Sequence, residues 1–231
     1  MNCSFRTILF FAVLLSVGLT GCAQHEVDPS TKNILSLSSS NTNLGENYQG
    51  PGSLKFENHI HSEFEYADTS LENVIVQNGY PKGGGLIDAD PQGITYGHAV
   101  FFTRVVNKTS KSMVLKLNFP ADSLTIPTSP EEWFKVFVLP DPMSPDEGGE
   151  WSYGVTGLPE FLRPIFYRGT SLEKILKPGE EIIFNVALLS HITNHGVSRS
   201  ALMIEQNELY YKLDLNPLKP IWIPCGEITF L

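Results

Sequence analysis

Two histidines among carboxylates give residues 55–65 the composition of a metal site. Alternate residues of an extended strand face the same side, and five polar residues would share one side here: Glu57, His59, His61, Glu63 and Glu65. Imidazole and carboxylate groups are ligands of Zn²⁺ and Cu²⁺. The opposite side would carry three apolar residues: Phe56, Ile60 and Phe64. The same pattern is typical of an amphipathic outer strand with a solvated polar face.

A metal site needs three or more converging ligands, and two histidines on one strand supply only two of them. The sequence identifies no third ligand. His98 lies in a predicted strand, where a histidine paired within the core is the simpler interpretation. We therefore regard His59 and His61 as weak candidates, expect both to be partly exposed, and predict no metal and no other cofactor.

Two further segments depart from the metal motifs that they resemble. His191 and His195 are four residues apart, as in the helix of zinc proteases, but no glutamate follows His191 and a loop is predicted. Asp88, Asp90 and Gly93 match the start of a calcium loop, but the glutamate at its twelfth position is missing. The acidic residues of 141–150 are expected to form a solvated loop.

The motifs of nucleophilic and phosphate chemistry are missing from the sequence. It has no Gly-x-Ser-x-Gly elbow, no paired redox cysteines and no phosphate-binding glycine loop followed by Lys and Ser or Thr. We therefore predict no catalytic residue and no enzymatic activity. A pair of glycosidase carboxylates stays open, because such residues come from distant segments of a chain.

The first residues have the form of an export signal. Arg6 precedes an apolar run over 7–19, which is shorter than the roughly 20 residues of a membrane-spanning helix and fits a signal peptide. The run ends in Leu19-Thr20-Gly21-Cys22, which resembles the lipobox of bacterial lipoproteins. An ordinary secretory signal and an uncleaved anchor are the alternatives.

The lipoprotein resemblance implies a location in the cell envelope. It implies that residues 1–21 are removed as a signal peptide and that Cys22 carries the acyl chains, palmitate among them, that attach the protein to a membrane. Two or more chains hold a protein stably on a bilayer. Because Ala23 follows the cysteine in place of the aspartate of inner-membrane retention, the outer membrane is favoured.

Cysteine content and charge exclude several classes of protein. With Cys3 removed and Cys22 acylated, only Cys225 remains, so the mature chain has no internal disulfide. Cys225 lies in an apolar run and is predicted to be a small buried side chain. The formal net charge of −9, without a compact basic stripe, argues against nucleic acid and against attachment to anionic lipid by charge.

Composition divides the chain into a tether and a domain. Residues 22–52 are rich in Ser and Asn and end in Gly50-Pro51-Gly52, so a lipidated flexible linker is predicted. Residues 53–231 are predicted to form a single domain. The hydrophobic content of 42% is sufficient for a packed core.

The period of the apolar residues predicts strands. Two segments alternate between apolar and polar residues, 113–119 and 209–215, as half-buried strands do. Three segments are apolar on both sides and are predicted to be central strands: 98–106, 134–139 and 182–189. Hairpin turns are predicted at 107–110 and 205–208, a type II turn at 177–180, and a final strand over 226–231 with Ile228 and Phe230 inward.

Helix signals are short. Ser129-Pro130-Glu131-Glu132 and Thr170-Ser171-Leu172-Glu173 have the form of capping boxes, and each predicts one or two helical turns. Another turn is predicted at 160–162. About ten strands without a long helix predict an all-β fold, an antiparallel immunoglobulin-like β-sandwich, with a β-barrel as the alternative. The turn at 176–180 resembles the strand entries of bacterial immunoglobulin-like modules.

Taken whole, the chain resembles the lipoproteins of Gram-negative envelopes. That resemblance implies a non-enzymatic binding or structural module, with another envelope protein or a glycan as its partner. The alternative is a metal- or carboxylate-dependent hydrolase of the envelope, and a metal carrier or sensor is a further possibility. Five residues are predicted to be buried between the two facing sheets: Phe102, Leu117, Phe137, Phe184 and Leu213.

Overall fold

The computed structural model describes residues 57–67, 73–126, 129–191, 197, 199–215 and 219–231. The predicted signal peptide, Cys22, the linker 22–52 and His195 lie outside the described residues. All described residues fall within one compact unit. They form two antiparallel sheets packed face to face, which confirms the predicted all-β sandwich.

The strands follow one another along the chain as β1 (Ile60–Tyr66), β2 (Val74–Gly79), β3 (Leu86–Ile87), β4 (Tyr96–Asn107), β5 (Met113–Phe119), β6 (Leu124–Ile126), β7 (Ser129–Pro142), β8 (Thr170–Leu176), β9 (Glu181–His191), β10 (Arg199–Glu205), β11 (Glu208–Asp214) and β12 (Ile221–Phe230). One α-helix, α1 (Leu158–Leu162), follows short 3₁₀ turns at Pro145–Gly149 and Trp151–Gly154 and precedes another at Arg163–Ile165. A further 3₁₀ turn, Glu57–His59, precedes β1.

Sheet I has the order β1-β2-β4-β9-β7-β6, with β3 paired to β4, and sheet II has the order β10-β11-β12-β5-β8. The described part of the chain therefore holds more strands than the seven to nine of an immunoglobulin domain. The likeness to that fold lies in the two packed antiparallel sheets. No helix in this part of the chain is long and apolar enough to cross a bilayer.

The core between the sheets follows the alternation in the sequence. β5 and β11 bury every second residue, as predicted. Leu117, Phe184 and Leu213 lie in this core, as does Cys225, the thiol of which has its pKa raised to about 12 by burial. The predicted inward positions of the last strand are confirmed for Ile228, which is buried, while Phe230 packs partly against the core.

The second face of sheet I is also covered. Phe102 and Phe137 are buried as predicted, but they do not lie between the sheets. Their neighbours on β4 and β7 point into the inter-sheet core, so these two rings point to the opposite side. There they pack under the connection 143–166, through five of its residues: Met143, Tyr153, Leu158, Leu162 and Phe166. The central strands are apolar on both sides because sheet II covers one side and this connection covers the other.

Two predicted helices are strands. Ser129 begins β7, where it pairs with Ile126. Thr170 begins β8, which pairs with β5 along its whole length, and the Thr170 hydroxyl accepts a hydrogen bond of 2.9 Å from the backbone N–H of Val138. Pairing with a neighbouring strand satisfies backbone groups that a capped helix would otherwise pair, so tertiary pairing overrides the local capping signal. The turn predicted at 160–162 is confirmed as part of α1.

One of the two predicted hairpins is wrong. β10 and β11 join through Gln206 and Asn207, both at positive φ, as predicted. The turn at 107–110 instead carries the chain from sheet I to sheet II. The Asn107 side chain donates to the carbonyl oxygens of Lys111 and Leu176, 2.8 and 2.9 Å away, and so fixes the crossing. The turn at 177–180 is confirmed, with Gly179 at φ +80°.

Candidate functional site

The polar residues of 57–65 do not share one face. Residues 57–59 form a 3₁₀ turn, so the strand begins only at Ile60, and a β-bulge falls between Ile60 and Ser62. A bulge reverses the side to which the following residues point. Ile60 packs under the outer covering of sheet I, whereas the His61 Nε2 donates to the Ser200 carbonyl oxygen of sheet II, 2.7 Å away.

His59 and His61 lie in different environments. Both rings are half-buried, and burial lowers the pKa of each. The His59 ring lies edge-on to Tyr153, with the centroids 6.4 Å apart, and the His61 ring contacts Tyr80. Glu63 is exposed and bonds to Gln77. The shared polar face on which the weak metal hypothesis depended is therefore not formed.

The other histidine candidates have separate partners. The His98 Nδ1 lies 3.3 Å from the Gly85 carbonyl oxygen. His191 ends β9 and stacks on Trp133, with the ring centroids 3.8 Å apart. Within the described ranges, no three His, Cys, Asp or Glu residues come together as metal ligands. That the protein binds no metal stays a prediction for measurement.

The two aspartates of the calcium-like fragment also diverge. Asp88 lies at the surface, with a carboxylate oxygen 3.7 Å from Arg163. Asp90 is 3% exposed and accepts hydrogen bonds from three protein groups. In the acidic loop, Ser144 and Glu147 form a capping box that begins the 3₁₀ turn Pro145–Gly149. Asp90 and Glu147 thus hold local structure, and Asp90 also lines a pocket at the outer face of sheet I.

The pocket beside Asp90 has a volume of about 400 Å³ and lies at the outer face of sheet I. We call it the Asp90 pocket. Its lining combines polar, charged and aromatic side chains from the turn at 90–94, from β4, β7 and the segments next to β6 and α1: Asp90, Gln92, Ile94, Tyr96, Ala121, Asp122, Ser123, Lys135, Phe166 and Tyr167. Residues far apart in the sequence therefore meet around one concave surface.

Asp90 is held by a dense set of hydrogen bonds. Its Oδ1 accepts from the Tyr167 hydroxyl at 2.7 Å and from the Gln92 backbone N–H at 2.8 Å, and its Oδ2 accepts from the Tyr96 hydroxyl at 3.3 Å. The Gly93 N–H donates to the Asp90 carbonyl oxygen, and Gly93 has φ +79°. The turn therefore presents the carboxylate to two tyrosines. The bond to Asp90 raises the pKa of Tyr167 to about 12.

Lys135 places a buried positive charge in the wall of the pocket. It is 6% exposed, although it lies on a strand among apolar residues. Its Nζ donates to the Ala121 carbonyl oxygen at 2.7 Å and lies 5.1 Å from the centre of the Phe166 ring. Burial lowers the pKa of Lys135, and the nearby carboxylates of Asp122 and Asp90 act in the opposite direction. A perturbed lysine beside a pocket is typical of a functional site.

Tyr167 provides an aromatic surface at the rim. Its ring is 51% exposed. It stands edge-on to Phe166, with the centroids 5.1 Å apart, and its hydroxyl is fixed by Asp90. An aromatic ring held rigidly at a rim can pack on an apolar surface of a ligand without losing conformational freedom. The pocket thus offers one oriented ring beside charged and polar groups.

The arrangement can bind a polar ligand. Both oxygens of Asp90 accept hydrogen bonds within the protein, which fixes the orientation of the carboxylate. Lys135 and the exposed groups of Asp122, Ser123 and Gln92 supply a donor and several acceptors to anything that enters.

The sequence contained a signal for one residue of the pocket. Lys135 is the only charged residue of 134–139, a segment otherwise apolar on both sides. A buried charge needs a partner or a function. Asp90 could be noticed only as part of a calcium-like fragment, and nothing in the sequence connects it with Lys135 or Tyr167.

Comparison of the chain with protein-family models, curated proteins and solved structures gives no match. Its function has to be inferred from its residues and their geometry.

Proposed function

We propose that this protein is a lipid-anchored envelope protein whose β-sandwich binds a saccharide in the Asp90 pocket without catalysing a reaction. The anchor would be the acylated Cys22, on the outer membrane, and the partner a glycan of the envelope. The observation that carries the proposal is the buried Lys135 beside Asp90 under the half-exposed ring of Tyr167.

The lipid anchor rests on Leu19-Thr20-Gly21-Cys22 after a short apolar run. Acyl chains on one cysteine would hold the domain at the membrane, where envelope glycans are concentrated. Cys22→Ser should release the protein from the membrane fraction. Intact-mass analysis of the wild-type protein should show acyl mass on Cys22, and a protein without that mass would contradict the anchor.

The chemistry of the pocket supports a saccharide as ligand. Sugar hydroxyl groups both donate and accept hydrogen bonds, and a lysine ammonium with neighbouring carboxylate and hydroxyl groups matches both roles. The C–H face of a sugar ring packs on an aromatic ring, and Tyr167 provides such a ring at the rim of the pocket. An open pocket of about 400 Å³ has room for one sugar unit of a longer chain.

Saturation-transfer NMR tests the proposal on the purified protein in detergent. The probes are glucose, N-acetylglucosamine, glucuronate and the disaccharide of N-acetylglucosamine. We expect saturable binding of at least one of these sugars, weakened about tenfold by Tyr167→Ala and abolished by Lys135→Met. Trp222→Ala is the control, because Trp222 is 49% exposed and lies on the outer side of sheet II.

Three results would contradict the proposal that the Asp90 pocket binds a saccharide. These are no binding of any probe, binding that Tyr167→Ala leaves unchanged, and an equal loss of binding in Trp222→Ala. Cleavage of the disaccharide by the wild-type protein would favour the hydrolase hypothesis instead.

A further inference from the structure

A second cavity lies at the outer face of sheet I. It has a volume of about 260 Å³ and is bounded by the end of β7, the segment 153–156, α1 and one residue of β9. We call it the Asn185 cavity, after that residue. Seven of its lining residues are apolar: Leu139, Pro140, Pro142, Met143, Val155, Leu158 and Phe161. No residue that lines it also lines the Asp90 pocket.

A break in the β7–β9 ladder opens this cavity. Val138 pairs with Val186 and Pro142 pairs with Phe184, so three residues of β7 lie opposite Asn185 alone. Extra residues in one strand bend it away from its partner and leave the ladder locally unpaired. The break therefore places a polar residue of β9 in the lining of the cavity, beside apolar residues of β7 and α1.

Asn185 has an unused hydrogen-bonding group at this position. It is 4% exposed, and its Oδ1 is buried without a hydrogen-bond partner among the residues that the structure describes. Its neighbours on the same side of β9 are Ile183 and Ala187, which are buried in the apolar cluster. Buried polar atoms in proteins are nearly always paired, so an unpaired one calls for an explanation, and a bound ligand is one of them.

The backbone beside the cavity is strained. Ser152 and Tyr153 have φ of +49° and +55°, and Gly154 follows with +74°. Side chains other than glycine seldom adopt this conformation, and such residues persist where the surrounding structure requires them, often at binding sites. The Tyr153 ring is locked by its hydroxyl, which donates to the Tyr80 carbonyl oxygen at 2.6 Å, and by Phe102 at 5.0 Å between centroids.

The charges at the cavity indicate the sign of the charge on a ligand. Asp141 and Glu147 line it, and its lining contains no Lys, Arg or His. The Glu147 Oε2 accepts from the Ser144 N–H, while Asp141 is exposed at the rim. A group that enters must donate to the Oδ1 of Asn185, and the two carboxylates favour a positive charge on it.

We propose that the Asn185 cavity binds a compact hydrophobic amine. Its apolar body packs on the proline, methionine and phenylalanine side chains, and its ammonium group donates to the Oδ1 of Asn185 beside Asp141. The site is independent of the saccharide proposed for the Asp90 pocket, since the two share no lining residue. The volume restricts it to a ligand of roughly ten non-hydrogen atoms.

Backbone amide shifts in NMR spectra of the ¹⁵N-labelled protein test the proposal. The probe is 2-phenylethylamine, and 3-phenylpropionate is its control, with a similar body and the opposite charge. We expect 2-phenylethylamine to shift the amide signals of Gly154, Val155 and Thr156 in a saturable way. Asn185→Leu should weaken that binding at least about tenfold, because it removes a hydrogen bond to a charged group.

Asp141→Asn is a second variant, chosen because an exposed residue can be changed without unfolding the protein. We expect it to weaken binding of 2-phenylethylamine about threefold, and Asp146→Asn, an exposed residue that does not line the cavity, to leave it unchanged. The proposal is overturned if 2-phenylethylamine causes no saturable shift, if 3-phenylpropionate binds equally well, or if folded Asn185→Leu protein binds the amine with unchanged affinity.

Discussion

The two faces of sheet I are both buried, yet they use their polar residues differently. On the inner face, Asn78 donates toward Ser62 and Leu202 and accepts from the Thr103 hydroxyl at 3.1 Å and from the Leu202 N–H at 2.8 Å. On the outer face, the Oδ1 of Asn185 has no hydrogen-bond partner within the described part of the chain, although that residue is also buried.

The difference follows from what covers each face. Sheet II brings the backbone of β10 against the inner face, so that Asn78 can bind it. The outer face is covered by 3₁₀ turns and a five-residue helix, which fit the sheet less closely and leave two cavities beside it. We infer that the inner face specifies the fold, and both binding sites proposed above lie at the outer face.

The largest effect is expected in the inner core. Phe184→Ala should lower the free energy of unfolding by roughly 3–5 kcal/mol, because it leaves a large cavity between two sheets that cannot close around it. Denaturant unfolding followed by fluorescence measures the change. A loss of less than about 1 kcal/mol would mean that the inner face is no more tightly packed than the outer face.

Asn78→Leu should be the next most damaging change. It leaves the hydroxyl of Thr103 and the N–H of Leu202 buried without partners, which should lower the free energy of unfolding by about 1–3 kcal/mol. The same denaturant titration applies, with the exposed Asn118→Leu as the matched control. An unchanged midpoint in Asn78→Leu would show that the bonded network contributes little.

Asn185→Leu should act in the opposite direction. Replacing an unpaired buried amide by an apolar group of similar size should raise the free energy of unfolding by about 1 kcal/mol in the absence of ligand. If Asn185→Leu raises the free energy of unfolding and also abolishes binding of the amine, Asn185 serves ligand binding at a cost in stability. A loss of stability as large as that of Asn78→Leu would remove the contrast between the two faces.

The smallest effect is expected for His61, which lies at the β-bulge of β1. Burial lowers the pKa of His61 below 6.5, so the unfolded state binds more protons than the folded state at acidic pH. Stability should therefore fall as the pH decreases through 6.5. His61→Gln should flatten this dependence in thermal unfolding measured from pH 7.5 to 5, and an unchanged slope would show that His61 makes no contribution.

The sequence by itself determined how buried and exposed residues alternate along the strands. The alternation over 113–119 and 209–215 predicted two half-buried strands, and the three doubly apolar segments predicted the central ones. Gln206-Asn207 and Pro178-Gly179 predicted their turns. These predictions succeeded because side-chain periodicity and turn chemistry depend on residues that are neighbours in the chain.

Only the tertiary structure decided what lies against each face and which distant residues meet. Nothing local distinguishes Phe102 from Phe184, yet they lie on opposite sides of one sheet. Ser129 and Thr170 carry helix-capping signals, and pairing with neighbouring strands overrides them. A single bulge separates His61 from Glu63, and Asp90 meets Lys135 only because the segment between β3 and β4 lies beside β7 at the outer face of sheet I. A local pattern fixes which residues are buried, but packing between segments far apart in the chain decides their partners.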